Sequence, residues 1–487
     1  MGLKEELSRE LGKGNSIYVI KANLINRGYL EEDITTAFKG ILTIKSEEND
    51  KNNKILGFKE LVDRIGYGFA SQQFINILFM LSGASLLLIG FVSGLKTALI
   101  YFISGFLKQY AKIKYFGKKY IGVSGIIYGL SFLGMAFSVV LHNPLFFTIS
   151  LLVGTVGVIA HGDTYIRLLN ATLNSEHRKT FLKFISYFGI IITAVAIFIT
   201  GLLMELIPTN GMAFDLNLSW LNLASPIHFE LYGYLLAFEI TAIMFILSGY
   251  LMSLVTEIKE EGNNTITYIF TFVKEYIQNA KEDSGVFIKN KKIFLLTLAA
   301  IIMTIAQILV NSYVGIFIYE NFKHQFLGGF LNVAIIFVIA LITSIAGTLL
   351  TKRFAKNLGE APMLVFGTLL IALLPLTIYY NPNLYAIGLA TVLSVIGGAI
   401  VGIAQGLIAE RIMTEREINT YFSGLGFISI LPTIILVTVG AIIAQLYDIQ
   451  TLFLTSGIIL AGIVMPLYFI LVLILEKEYR IEHKKRK

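Results

Sequence analysis

The stretch Ile159-Ala160-His161-Gly162, with Arg167 five residues on, returns as Ile403-Ala404-Gln405-Gly406 followed by Arg411. The copies lie 244 positions apart (403 − 159), and each ends a long apolar run. Gly105 and Gly347, 242 positions apart (347 − 105), each stand near the end of an apolar run before a basic cluster. Thr193 and Thr433, 240 positions apart (433 − 193), lie inside the run that follows each arginine. A fixed-period echo of apolar segments indicates an internal duplication, with two halves around a central site.

Of the 487 residues 55% are hydrophobic and only 15% charged, with a mean hydropathy of +0.74. So few charges cannot cover a water-soluble surface, so most of the chain faces lipid. A hydrocarbon core takes about 20 apolar residues per helix, which divides the chain into about twelve spans. The first six are 69–91, 94–111, 119–141, 143–162, 181–206 and 229–256. The second six are 293–318, 326–350, 362–380, 384–409, 420–446 and 451–475. Spans one and two share one apolar run, divided at Ser93-Gly94-Leu95-Lys96. The expected fold is an all-α integral membrane protein of two parallel six-helix halves, because an even number of spans returns the second half to the same orientation.

The chain contains no cysteine, which excludes disulfides and thiol chemistry, and no two of its six histidines have the i, i+4 spacing of a helical metal site. No cofactor is implied. The formal charge of +7 does not call for nucleic acid, because the basic residues gather in alternate loops. Lys108, Lys112, Lys114, Lys118 and Lys119 follow span two, and Arg167, Arg178, Lys179 and Lys183 follow span four. Lys352, Arg353 and Lys356 follow span eight, Arg411 and Arg416 follow span ten, and the tail is basic. The opposite loops hold only Lys96 and Lys323. Basic loops face the cytoplasm, so both termini are expected there, in a multi-pass protein of the plasma or inner membrane.

Residues 1–57 read as a cytoplasmic helical extension and linker, with Ile17, Ile20, Leu24, Ile34 and Phe38 at helical spacing and a flexible stretch over 45–54. Residues 58–256 form an interfacial helix plus the first six-helix half. In that helix Phe58, Leu61, Val62, Ile65 and Phe69 oppose Lys59, Glu60, Asp63 and Arg64. Residues 257–292 form a cytoplasmic linker with an amphipathic stripe of Ile269, Phe272, Val273, Tyr276 and Ala280. The second half covers 293–476, and a basic tail 477–487.

Two six-span halves, a central linker and basic clusters after spans two and eight resemble the major facilitator superfamily, over roughly residues 65–476. That family carries Gly, three residues and Asp after span two. Here Gly105 is followed by Gln109, and Gly347 by Thr351, so the Asp is missing from both copies. The resemblance implies a secondary transporter working by alternating access, with span seven lining the cavity.

Polar groups at mid-depth in a membrane mark an interior face. On span seven Thr304, Gln307 and Asn311 repeat at helical spacing with Thr297 and Gly315, and are read as substrate-contacting. Gln72 and Asn76 form a shorter stripe early in span one and are read as a cytoplasmic gate, together with His161, Gln405, Gly105 and Gly347. The glycines of spans four and ten (Gly154 and Gly157, Gly398 and Gly402) are read as packing positions. Glu239, a carboxylate near the middle of span six, is read as a proton-coupling residue, since an ionised acid there is costly. No residue cluster suits an enzyme, and no phosphate-binding glycine loop is present. The leading function is secondary transport of a small solute, with protons as a second partner and the bilayer as surroundings. The alternatives are a receptor or scaffold that signals through a cytoplasmic partner of residues 1–57, or a lipid flippase. A monomer is expected.

Overall fold

The computed structural model describes residues 20, 23–25, 29, 31–110, 118–173, 175–207, 212–216, 227–256, 274, 276–279, 281, 285, 287 and 290–485. The first half contains α1 (Glu31–Phe69), α2 (Gln72–Leu81), α3 (Leu86–Tyr110), α4 (Lys118–Val140), α5 (Pro144–Thr172), α6 (Ser175–Leu206) and α7 (Gly233–Leu254). The second contains α8 (Lys291–Phe322), α9 (Gly329–Leu358), α10 (Glu360–Tyr380), α11 (Leu384–Ile412), α12 (Glu415–Leu446), α13 (Ile449–Ile459) and α14 (Met465–Lys485). A π-helical turn, Leu460–Val464, joins α13 to α14 into one span. Strands β1 (Met212–Leu216) and β2 (Ile227–Leu231) pair antiparallel between α6 and α7. We call the side of the bundle that carries this pair the hairpin face, and the opposite side the terminal face.

Among the described residues eleven helices are long and apolar enough to cross a membrane, and Gln72–Leu81 is a shorter apolar helix. The twelfth crossing is composite: the last turns of α1 run into α2 through a short break at Ala70 and Ser71. This corrects the sequence reading in three places. The segment from Phe58 to Phe69 does not lie on the membrane surface, because α1 packs against α6 and α7. Its polar side is turned inward, with Lys59 1% and Asp63 2% exposed, while Phe58 is 52% exposed. The division between spans one and two falls at Ser82-Gly83-Ala84-Ser85, where Gly83 has φ +94, a left-handed conformation suited to glycine. Finally, 45–54 is continuous helix within α1 rather than a flexible link. Lys and Glu are good helix formers, and the Asn52 side chain both donates to and accepts from the Thr256 backbone at 2.9 Å, fastening α1 to the end of α7.

The duplication is visible in local chemistry. Span four begins at the N-cap Asn143, whose side chain accepts from Phe146 N at 3.0 Å, and span ten at the N-cap Asn383, which accepts from Tyr385 N at 2.9 Å. Each satisfies an orphan donor of its helix. Ile20 and Leu24, which precede α1, bury against Ile34 and Ala37 of its first turns in a small cluster with Tyr29 beside it. Ile17 lies outside the described residues, as do Ile269, Phe272, Val273 and Ala280 of the linker.

Glycines set the closest helix approaches. A side chain on Gly122 of α4 or Gly249 of α7 would run into the other's carbonyl oxygen, and Gly367 of α10 and Gly397 of α11 are matched likewise. Gly154 and Gly157 pack α5 onto α4, as the sequence suggested. Gly398 and Gly402 do not pack: nothing lies within 4 Å of a Cβ placed on either, so they face open space.

Candidate functional site: a polar chamber beneath a one-sided gate

The halves are tied together by hydrogen bonds toward the hairpin face. Asn76 Nδ2 donates to the Ser312 carbonyl at 3.0 Å and approaches the Asn311 carbonyl at 3.5 Å. Gly315 N donates to Gln73 Oε1 at 3.2 Å, and Tyr313 OH to the Leu86 carbonyl at 2.7 Å. Leu87 N donates to Gln445 Oε1 at 3.3 Å, and Phe330 N to Glu205 Oε2 at 2.9 Å. Gly328, at φ +98, lets the α8–α9 turn press against that Glu205 carboxylate, which a side chain would strike. Gln72 and Asn76, read from the sequence as a cytoplasmic gate, are placed beside these contacts toward the hairpin face. Span one starts well before residue 69, which moves both residues toward the hairpin end.

Immediately below this closure lies a polar chain. Lys96 Nζ donates to Gln72 Oε1, and Gln72 Nε2 donates to Asn76 Oδ1 at 2.7 Å. Across the interface, Gln307 and Asn311 occupy the matching turns of α8. Asn76 meets Asn311 at a separation of 235 residues, and Gln72 and Gln307 share that offset. A Gln-x-x-x-Asn repeat therefore frames the site from both halves. It was readable in the sequence, but its offset differs from the 240–244 of the other echoes.

Gln307 and Asn311 line a cavity of about 190 Å³ with Val310, Val314, Thr391, Ser394, Gly398 and Pro375. Two irregularities of the backbone sit on its wall. Pro375 cannot donate to the Ile371 carbonyl one turn earlier, and Leu460 opens the π-helical turn; Ile371 and Leu460 both line the cavity. Such interruptions leave backbone polar groups available inside a membrane only where they line a cavity. Thr304 does not line it: its hydroxyl donates to the Ala300 carbonyl at 2.8 Å.

Lys96 was placed by sequence in a loop. It is instead deep within α3, half-buried. A cation at the centre of a membrane helix costs about 2.5–3.5 kcal/mol on insertion scales, so its place there needs a reason.

The charged face of α1 forms a second cluster. Lys59 Nζ lies 2.6 Å from Asp63 Oδ2 and 3.5 Å from the centre of the Tyr165 ring. His161 of α5 brings Nε2 to 3.2 Å from the same carboxylate oxygen and Nδ1 to 3.1 Å from the Ile121 carbonyl. Both ring nitrogens face acceptors, so only a doubly protonated imidazole satisfies both. Asp63 Oδ1 has no hydrogen-bond partner among the described residues. Sequence reading set Lys59 and Asp63 on a solvated face, and no local signal shows otherwise, because the partner that encloses them is 98 residues away.

His161 is not poised between the halves, and neither is Gln405. His161 is bound within its own half, and Gln405 Nε2 donates to Tyr468 OH of α14 at 2.5 Å. Gly105 and Gly347 differ from each other. A side chain on Gly105 would strike the phenol oxygen of Tyr276 in the linker, whereas a Cβ on Gly347 would meet Ala399 Cβ at 3.3 Å and Ile396 Cα at 3.4 Å on α11, a tight but milder contact. Tyr276 is buried between the halves, edge-on to Phe102 and Phe106 of α3 and to Phe427 of α12. Glu239 lies in the second turn of α7, nearer the hairpin face than the middle, and is partly exposed.

No protein-family model matches the chain, and no curated protein matches it by sequence. Solved structures do match. The nucleoside transporter NupG superposes with a TM-score of 0.64 at 15% identity, covering 87% of this chain and 98% of its own. The chain has the major facilitator fold. A bacterial homologue of the human lysosomal transporter Spinster, in an inward-facing and unoccupied conformation, gives a TM-score of 0.58 at 15% identity, covering 88% and 97%. The inward-open xylose transporter XylE from E. coli gives 0.57 at 15%, covering 85% and 95%. As in that fold, the chain is a multi-pass membrane protein whose structural neighbours are membrane transporters.

Proposed function

We propose that the protein is a secondary transporter that moves a small solute by alternating access, and that this conformation is closed at the hairpin face. The observation that carries the reading is the set of hydrogen bonds that closes the two halves onto each other at the hairpin end. The contacts through Asn76, Gln73, Glu205 and Gln445 join the halves at the hairpin end, and beside them Gln307 and Asn311 line a cavity in the second half. A polar cavity beside the junction of two pseudo-symmetric halves, which meet through individually weak hydrogen bonds, suits rocking of the halves. The basic loops put the terminal face, with both chain ends, in the cytoplasm.

Proton coupling is assigned to the Asp63–His161 pair. A ring that bridges a carbonyl and a carboxylate releases one of those bonds when it gives up a proton, so protonation and helix position are linked. Glu239 is the second candidate; it is a carboxylate with no hydrogen bond or ion pair to a described residue. The test is uptake or efflux of a metabolite panel in proteoliposomes with an imposed pH gradient. Gradient-driven accumulation of a solute supports the reading. A purified, folded protein that moves no member of the panel in either direction sinks it in favour of a receptor or scaffold.

A further inference from the structure

We infer that Tyr276 is a wedge that holds the protein in this conformation. Its ring, carried by the linker between the halves, keeps the terminal ends of α3 and α12 apart and must leave before the hairpin face can open. The inference rests on the alternating-access reading above.

The two helices come from opposite halves and run side by side in opposite directions, and small residues record how their spacing changes. Near the hairpin face a Cβ on Gly90 would run into the Cβ of Ala441. One turn on, a Cβ on Gly94 would stand 3.3 Å from Val437 Cβ, and further toward the terminal face a Cβ on Gly426 would stand 3.6 Å from Tyr101 Cβ. At Gly105 the nearest atoms beyond its own helix no longer belong to α12. They are those of Tyr276, the phenol oxygen first. The helices therefore part toward the terminal face, and the ring fills the opening. Phe102 and Phe106 of α3 stand edge-on to it at 5.7 and 6.1 Å, and Phe427 of α12 at 6.1 Å from the other half.

Tyr276 is a single inserted side chain rather than part of a packed layer. It is 1% exposed, while Lys274, Ile277, Gln278, Asn279 and Lys281 around it are exposed. Further along, Phe287 is buried against Tyr421 at 5.4 Å and fixes the far end of the linker to α12. The Tyr276 hydroxyl is buried without a hydrogen-bond partner among the described residues, a cost that the edge-on ring contacts offset. A ring seated at such a cost is one that can be withdrawn. The equivalent glycine of the second half receives no ring, since Gly347 faces Ala399 and Ile396 of α11. Rocking opens one end of the bundle as it closes the other. Opening at the hairpin face would bring the terminal ends of α3 and α12 together over the place the ring occupies. A contact made in only one of two states shifts their balance by its full strength, so the linker biases the protein toward closure at the hairpin face.

The test uses the full-length protein carrying Ser394→Cys in the cavity wall, labelled by a membrane-impermeant maleimide. In intact cells the reagent reaches the hairpin face, and in inverted membrane vesicles the terminal face. Tyr276→Ala should speed labelling in cells by about tenfold and should not speed it in inverted vesicles. Tyr276→Phe drops only the unpaired hydroxyl and should label in cells no faster than the parent. Gly105→Ala should act like Tyr276→Ala, because its methyl strikes the phenol oxygen, and Gly105→Ala/Tyr276→Phe should restore the parent rate. If Tyr276→Ala does not fold, Phe427→Ala, which removes one wall of the seat, takes its place. The wedge is overturned by unchanged rates in Tyr276→Ala, by faster labelling from both faces, or by a Tyr276→Phe that behaves like Tyr276→Ala. Labelling of the parent from both faces, with rates that Tyr276→Ala does not move, overturns the wedge and leaves alternating access standing. Labelling from one face only in every variant overturns both.

Discussion

Asn76 Nδ2 donates to the Ser312 carbonyl at 3.0 Å, so the first span of one half is bonded to the first span of the other. With Gln73 Oε1 accepting from Gly315 N three residue positions earlier on α2, this contact holds the hairpin end closed. Interhelical hydrogen bonds in membranes are worth about 0.6 kcal/mol each on average. Removing both, in Gln73→Ala/Asn76→Ala, should shift the balance of states by roughly tenfold toward opening at the hairpin face. The chain has no cysteine, so a single Ser394→Cys in the cavity wall reports access without background. Labelling by a membrane-impermeant maleimide should be faster in the double variant; an unchanged rate removes these bonds from the gate.

The buried ion pair makes a second prediction. Lys59 and Asp63 have side chains 1% and 3% exposed. Asp63→Asn strands a buried ammonium and should destabilise the protein by about 3–5 kcal/mol. Lys59→Met/Asp63→Asn should recover most of that loss, because the stranded charge is removed with its partner. Thermal unfolding in detergent measures both. A double variant as unstable as the single one would show that the pair acts through packing rather than charge.

Coupling is separable by paired variants. His161→Gln keeps one acceptor contact but cannot titrate, whereas Glu239→Gln keeps the shape of a residue that bonds to no described neighbour. Accumulation driven by a pH gradient should be lost in His161→Gln, with exchange of solute down its own gradient retained. Glu239→Gln should accumulate normally. The opposite pattern returns the coupling role to Glu239.

Helix contact gives a prediction independent of function. A Cβ on Gly249 would stand 2.5 Å from the Gly122 carbonyl oxygen and 2.8 Å from Ile126. Backbone cannot yield as a flexible side chain would, so Gly249→Ala should destabilise the protein by about 1–3 kcal/mol. Gly402→Ala, with nothing within 4 Å, should leave the unfolding temperature unchanged.

Topology can be checked with the same protein. Reporters fused after Lys487 and inserted between β1 and β2 should report opposite sides, with the tail cytoplasmic. Reporters on one side would contradict the alternation of basic loops.

Sequence alone determined what depends on composition and period. Apolar runs of membrane length, basic residues in alternate loops and the echo of Ile159–Gly162 in Ile403–Gly406 sufficed for twelve crossings in two parallel halves. These signals are local or repeat at a fixed interval, so no contact needs to be known. What sequence could not decide was which residues share the interior. Ser82-Gly83 and Ser93-Gly94 read equally well as turns, yet only the first is one. Gly94 serves instead to admit Val437 of α12 from the other half, and that single displacement carries Lys96 out of a loop and into α3. Likewise the charges of α1 suit a wetted surface until His161, brought across by the packing of α5, encloses them. Lipid and protein interior are nearly alike to an apolar side chain, so hydropathy finds the spans. Which face of each span turns inward is settled by polar contacts between distant segments, and only the tertiary structure brings those together.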